Sequence, residues 1–181
     1  VDETDLAFEG YPGPLRQVLG IRVEEIDALY EGQVNHIVMA DGSGTYTCAR
    51  LCDLIHSEGA EVLATYGDDF YAGTPVVTQN HFGQGNAYYI AADADDHFLD
   101  EFYGRLLAAH GIEPLLDAPV GVEVTLRENG QHRLLFVLNH NATPANVNLP
   151  AGQRYWDHLS QATVADSLTL AGYGVSILEA R

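Results

Sequence analysis

The order of hydrophobic and polar positions divides the chain into two halves of different character. Before Pro114, short apolar runs alternate with helical patterns, and after Pro119 short alternating segments are joined by polar turns. The change falls in a proline-containing segment, which is typical of a domain boundary. The pattern therefore predicts two domains, at residues 1–116 and 117–181.

The first half combines predicted strands with predicted helices. Residues 14–19 indicate one or two helical turns that Gly20 ends. A helix is predicted over residues 95–110, with apolar side chains at spacings of three and four and with Gly111 as its stop. Strands are predicted at residues 61–66, 75–81 and 86–91, with a glycine-rich hairpin turn at 82–85. Strands that lead into a closing helix predict an α/β layer.

The second half contains strand signals throughout. Residues 122–126 alternate strictly, Asn129 and Gly130 form a strong hairpin signal, and residues 134–138 indicate a buried strand. Further short strands are predicted at residues 146–149, 153–157, 167–170 and 175–178. This even spacing predicts a small, all-β antiparallel sandwich.

The charge of the chain limits its partners. There are 26 acidic and 8 basic residues, for a formal net charge of −18, and every basic residue is Arg. Such a chain is a poor ligand for nucleic-acid phosphates, and no run reaches the roughly 20 apolar residues of a membrane span. An acidic surface without lysine predicts a halophilic source, because the Debye length at 1 M salt is only about 3 Å. A GC-rich genome that favours Arg codons is the alternative explanation for the missing lysine.

Two cysteines, Cys48 and Cys52, are too few for a disulfide framework, so a reducing cytoplasm is the expected compartment. With His56 they would line one face of a helix and resemble a zinc site. Residues 45–51 are equally compatible with a strand, which would not present the three side chains together. We therefore expect no metal and interpret the cysteines as small buried residues.

The sequence contains no convincing catalytic set, and we expect no cofactor. Residues 93–96 begin like a calcium loop, but His97 and Phe98 stand where that motif needs Asp or Asn and then Gly, so helix capping is the better interpretation. Residues 83–85 form a Gly-x-Gly without the following helix of a dinucleotide site. Glycoside hydrolysis needs two carboxyl groups about 5–9 Å apart across a sugar, which sequence neighbours on one strand do not provide.

A segment between two predicted strands is the candidate contact surface. Its residues are Tyr66, Asp68, Asp69, Phe70 and Tyr71. Aromatic side chains that are exposed in a loop are suited to a subunit or domain contact. The alternative is that Phe70 and Tyr71 fold back over the edge of the sheet, and the sequence leaves both possibilities open.

Several segments together resemble one known family. They are residues 1–6 (VDETDL), 10–15 (GYPGPL), 20–30 (GIRVEEIDALY), 51–56 (LCDLIH), 59–73 (GAEVLATYGDDFYAG) and 82–91 (FGQGNAYYIA). In this order they resemble the middle domain of bacterial and archaeal β-galactosidases of glycoside hydrolase family 42. The second half, which ends in residues 173–178 (YGVSIL), resembles the short C-terminal β-domain of that family.

The resemblance implies both a fold and a place in a larger enzyme. The implied fold is part of an α/β trimerisation domain, flavodoxin-like and similar to class I glutamine amidotransferases but without their nucleophile, followed by the β-sandwich. It also implies a catalytic (β/α)₈ barrel, which supplies two glutamates for the retaining hydrolysis of terminal β-galactosides. No position of this chain corresponds to either glutamate.

On this resemblance we expect a catalytically inert C-terminal piece of a β-galactosidase that begins inside the α/β domain. Its partners would be its own barrel and two further copies in a homotrimer, and it would meet a galactoside only through the barrel. The alternative is a carbohydrate-binding module that binds sugar with its β-sandwich and with Tyr71 of the aromatic loop. An independent amidotransferase-like enzyme is a third interpretation.

Overall fold

The computed structural model describes residues 11–181, which divide into two compact units, one ending at Leu107 and one beginning at Ala108. The first unit contains a 3₁₀ turn (Gly13–Leu15), the short helix α1 (Arg16–Leu19) and strands β1 (Ile21–Ala28), β2 (Asn35–Met39), β3 (Thr45–Ser57), β4 (Glu61–Tyr66), β5 (Pro75–Phe82), β6 (Gly85–Ile90) and β7 (Ala92–Ala94). Helix α2 (Asp96–Ala109) follows. The second unit contains β8 (Val122–Glu128), β9 (Arg133–Asn139), β10 (Ala145–Asn148), β11 (Arg154–Asp157), β12 (Ala162–Ala165), β13 (Ser167–Leu170) and β14 (Val175–Ala180).

The first unit is organised by one seven-stranded sheet in the order β1-β3-β2-β4-β5-β6, with β7 paired to β3. Every pairing in this sheet is antiparallel. Helix α2 buries Phe98 and Phe102 in the core of the unit. Within residues 11–181, no helix is long and apolar enough to cross a membrane.

The α/β, flavodoxin-like domain expected for residues 1–116 is wrong, because the described part of this unit is mostly antiparallel β-structure. A doubly wound fold needs parallel strands joined by crossover helices. Here β2 joins β3, and β5 joins β6, through short turns that contain glycine, so neighbouring strands run in opposite directions. These two connections are too short to contain a crossover helix. The one long helix of the unit, α2, follows the sheet in sequence and does not connect parallel strands.

The structure confirms two predictions about where the helices begin and end. Helix α2 begins one residue after Asp95, whose Oδ1 accepts a hydrogen bond from the Phe98 backbone N–H at 2.7 Å. This is an N-cap, so the capping interpretation is confirmed for Asp95, whereas Asp93 of the same acidic run contacts Arg50. The predicted stop at Gly20 is also confirmed: its φ is +62°, and the Asn80 side chain donates to the last carbonyls of α1, at 2.8 Å to Val18 O.

The second unit consists of two antiparallel sheets that share one core. The larger has the order β12-β11-β14-β9-β8, and the smaller pairs β10 with β13. Val137 and Leu178 from the larger sheet and Val147 and Leu170 from the smaller sheet are buried in the same cluster. The predicted hairpin at Asn129 is confirmed, since β8 and β9 flank that turn and pair with each other.

A buried carboxylate fixes the end of β11 in the second unit. Asp157 accepts hydrogen bonds from the backbone N–H groups of Leu159 (3.0 Å) and Ile177 (3.3 Å) and from the Ser160 hydroxyl (2.7 Å). Burial alone would raise the pKa of Asp157, but these donors together outweigh it and hold the pKa below its usual range. The ionised form is therefore the one that the fold selects.

We expect Asp157→Ala to lower the free energy of unfolding of the second unit by about 2–3 kcal/mol, because buried donors lose a charged acceptor. Urea unfolding measures this loss. Asp117→Ala is the matched control at an exposed position and should leave the midpoint unchanged. Equal midpoints for the two variants would contradict the structural role of Asp157.

Candidate functional site

The candidate contact surface is a closed loop between β4 and β5. The strand ladder continues past Tyr66, whose N–H donates to Thr74 O (2.9 Å) and whose carbonyl accepts from Gly73 N–H (2.8 Å). Asp69 has φ +69° and turns the chain back, and its side-chain Oδ1 accepts from the Phe70 N–H at 2.7 Å. The loop is therefore a tight turn with internal hydrogen bonds.

Two of its aromatic residues belong to the core. Tyr66 and Tyr71 are 1% and 2% exposed, and their rings meet edge to face with centroids 4.9 Å apart. The Tyr66 hydroxyl donates to Ala91 O at 2.6 Å, and the Tyr71 hydroxyl donates to Asp27 Oδ2 at 2.9 Å. Burial raises the pKa of both phenols. They remain protonated and act as hydrogen-bond donors that attach the loop to the sheet.

Asn35, at the start of β2, holds the acidic part of the loop. Its side chain is buried, donates to Asp68 O at 3.1 Å and accepts from the Asp68 N–H at 3.0 Å. The neighbouring His36 contacts the Asp68 carboxylate through Nδ1. A reciprocal pair of hydrogen bonds from one buried amide fixes both the position and the direction of the backbone at Asp68.

Phe70 is the aromatic side chain that the loop presents outward, and it is 78% exposed. Its ring still packs edge to face on Tyr71, at a centroid distance of 4.9 Å. Tyr66, Asp68, Asp69, Phe70 and Tyr71 are thus brought together in one turn, but they divide into an inner pair of tyrosines and an outer edge. Because the Tyr71 ring is buried, it is not available to stack on a sugar.

The structure separates the three residues that resembled a zinc site. Cys48 and Cys52 are buried free thiols in β3, whereas His56 is exposed and contacts Glu24. Among residues 11–181, no group of three or more His, Cys, Asp or Glu side chains is arranged to hold a metal ion. The strand interpretation of this segment is the correct one, since β3 runs from Thr45 to Ser57.

Sequence reasoning did not find the residues outside the loop that contact it, which include His36 as well as Asn35 and Asp27. Asn35 and Asp27 each make a side-chain contact with the loop, yet they lie about 30 residues or more before it, on β2 and β1. The signal that was available is weak: a single Asn at the start of a short apolar run. Only the strand pairing shows that both residues lie beneath the loop.

Two family profiles match the chain. The one described as "Beta-galactosidase trimerisation domain" covers residues 1–113, and "Beta-galactosidase C-terminal domain" covers residues 121–180. The chain therefore belongs to the family 42 β-galactosidases, and it corresponds to their trimerisation and C-terminal domains. Residues 1–10, which take part in the resemblance given above, lie outside the described residues.

Individual relatives agree with this assignment. The β-galactosidase BgaA of Planococcus sp. (strain 'SOS Orange') is 48% identical over 183 residues, and the β-galactosidase Pbg of Clostridium perfringens is 40% identical over 188 residues. Both alignments include 98% of this chain and 27% of the relative. The crystal structure of a β-galactosidase from Bacillus circulans sp. alkalophilus superposes with a TM-score of 0.87 at 45% identity, over 97% of this chain and 26% of that one. The chain thus spans about a quarter of the length of these relatives.

We expect Asn35→Ala to release the loop from the sheet. Two hydrogen bonds to Asp68 are lost, and a single such bond contributes about 1 kcal/mol, so the amide of Asp68 should exchange with solvent roughly tenfold faster or more. Hydrogen exchange read by NMR measures this rate. Asn148→Ala, at an exposed position of β10, is the matched control. Unchanged exchange at Asp68 in the Asn35 variant would show that the amide does not fix the loop.

Proposed function

We propose that this chain is the non-catalytic assembly part of a β-galactosidase, which works in one polypeptide with a catalytic barrel and in a homotrimer. The observation that carries the proposal is the pair of family matches, which follow each other along nearly the whole chain. The relatives are named β-galactosidases and are about four times longer. Hydrolysis of terminal β-galactosides would then be the work of the barrel, and the galactoside would not touch this chain.

The proposed place of subunit or domain contact is the loop with Tyr66, Asp68, Asp69, Phe70 and Tyr71. A contact needs apolar area that is exposed in the free subunit and already fixed in position. Phe70 supplies the area, and the hydrogen bonds of Tyr71 and Asn35 supply the fixed position. A contact between different patches of neighbouring copies closes into a ring when the rotation fits three subunits.

The two halves of the chain have different roles in this proposal. We place the domain boundary after residue 116, so that residues 1–116 serve assembly and residues 117–181 form the C-terminal β-sandwich. The described units change at residue 107, and the family matches leave residues 114–120 between them. A cytoplasmic location fits the two free thiols, Cys48 and Cys52.

We expect the purified chain to hydrolyse no nitrophenyl β-galactoside and to have the mass of three chains in light scattering. Phe70→Asp should shift that mass toward the monomer, because it places a charge at the centre of the contact. Val120→Asp, at a 96% exposed position of the second unit, is the control and should keep the trimer. Turnover by the rigorously purified chain would overturn the inert role, and a trimer that survives Phe70→Asp would exclude the loop as the contact.

We also propose that the acidic, lysine-free composition is an adaptation to salt. Salt screens the self-repulsion that a net charge of −18 produces in the folded state. The melting temperature should therefore rise steeply between dilute buffer and molar KCl. Sucrose at matched osmolality is the control, since it stabilises proteins by exclusion and without screening. A flat response to KCl would leave codon usage as the explanation for the missing lysine.

A further inference from the structure

A β-bulge in β3 brings the two cysteines of the chain side by side. Along the pairing with β7, Ala49 lies opposite Asp93 and Cys52 lies opposite Ala92, so two residues of β3 stand where an unbroken ladder would have none. One of them, Arg50, has φ +59°. This is the geometry of a bulge, in which extra residues leave the ladder.

Cys48 and Cys52 are four residues apart in sequence, but because of the bulge their partners on β7 are only two residues apart. Cys48 lies opposite Ala94 and Cys52 opposite Ala92, so both thiols lie on the same face of the sheet. Two steps along a strand place their Cα atoms about 6.7 Å apart. The sequence alone could not show this, since an unbroken strand would separate the same residues by about twice that distance.

Both thiols are enclosed by the core of the first unit. Cys48 is 2% exposed and Cys52 is fully buried. Burial raises the pKa of Cys48 to about 12, and the neighbouring Cys52 thiol adds to this effect. These two protonated thiols interact with each other and form a pair of soft ligands.

The geometry favours an ion between the sulfur atoms over a disulfide. A disulfide requires Cβ atoms about 3.5–4.5 Å apart and Cα atoms no more than about 6.8 Å apart, so a Cα spacing of about 6.7 Å lies at the upper limit for a disulfide. Two metal–sulfur bonds of about 2.3 Å each span about 4.6 Å between the sulfurs. An ion therefore bridges a gap that an S–S bond would have to close by bending the strand.

The surroundings limit the coordination number to two. The residues opposite the cysteines on β7 are Ala92 and Ala94, which offer no ligand. On the other side, Asp27 lies opposite Cys52 and Asn35 lies opposite Cys48, and their side chains already bond to the Tyr71 hydroxyl and to the Asp68 backbone. The Tyr66 and Tyr71 hydroxyls interact with the Cys52 thiol, but burial raises the pKa of both phenols, so they stay protonated and are not ligands. Structural zinc takes four ligands, so this site suits a softer ion that is satisfied by two thiolates.

We propose that Cys48 and Cys52 form a two-thiolate site for a soft, divalent d¹⁰ cation that accepts linear coordination, with Hg(II) as the probe. On binding, two S–H bonds break and two metal–sulfur bonds form, and both protons pass to the buffer without any oxidation. The product is neutral, so the apolar surroundings do not have to hold a net charge. A monovalent ion would leave one negative charge beside Asp27.

Titration of the whole chain with mercuric chloride, in the presence of glutathione as competitor, tests the site. Native mass spectrometry should show one mercury per chain with the loss of two protons, together with a thiolate-to-metal absorption band in the ultraviolet. Cys48→Ser and Cys52→Ser should each weaken retention against glutathione at least a hundredfold, since one thiolate cannot chelate. His56→Gln is the matched control and should bind as the parent chain does.

Other outcomes would overturn the site. Two mercury ions per chain would show that the thiols bind independently. A mass loss of two hydrogen atoms (two protons and two electrons) without metal would show oxidation to a disulfide. Binding in either serine variant as tight as in the parent chain would show a simple monothiol adduct. Circular dichroism of each variant confirms that it is folded, and Cys48→Ala and Cys52→Ala provide a second pair if a serine variant is not.

Discussion

The hydrogen bonds between the 66–73 loop and the strands beneath it fix the position of Phe70, which the proposed contact requires. Asn35 holds Asp68 by a reciprocal pair of bonds, and Asp27 accepts the Tyr71 hydroxyl. Each of these groups is at least partly removed from water, where an unpaired polar atom is costly. The loop therefore has one low-energy position, and that position leaves Phe70 outside.

This arrangement connects a local turn to the proposed assembly. An exposed aromatic ring on a mobile loop would lose much of its contact energy to ordering on association. Phe70 avoids that loss because its neighbour Tyr71 is anchored in the core and packs edge to face against it. The loop is thus preorganised for contact without any catalytic group in it, which agrees with a chain whose relatives place it among the trimerisation and C-terminal domains.

The sequence predicted those features that depend on neighbours in the chain. The cap at Asp95, the stop at Gly20 and the hairpin at Asn129 are local, and all three were found. The fold class of the first unit was not, because antiparallel pairing is decided by contacts between distant strands. The bulge at Arg50, which brings the two cysteines together, has no signal in the local pattern. The sequence also does not show which aromatic residues of the loop are buried. That depends on contacts with Asn35 and Asp27, which are remote in sequence.

Hydrogen exchange of the chain at high and low concentration measures whether the 66–73 loop is buried when the chains associate. If the loop is the subunit contact, the amides of residues 69–72 gain protection as the chains associate, while amides near Val120 do not change. Association that protects other segments and leaves residues 69–72 as accessible as in the dilute chain would exclude the loop as the subunit contact.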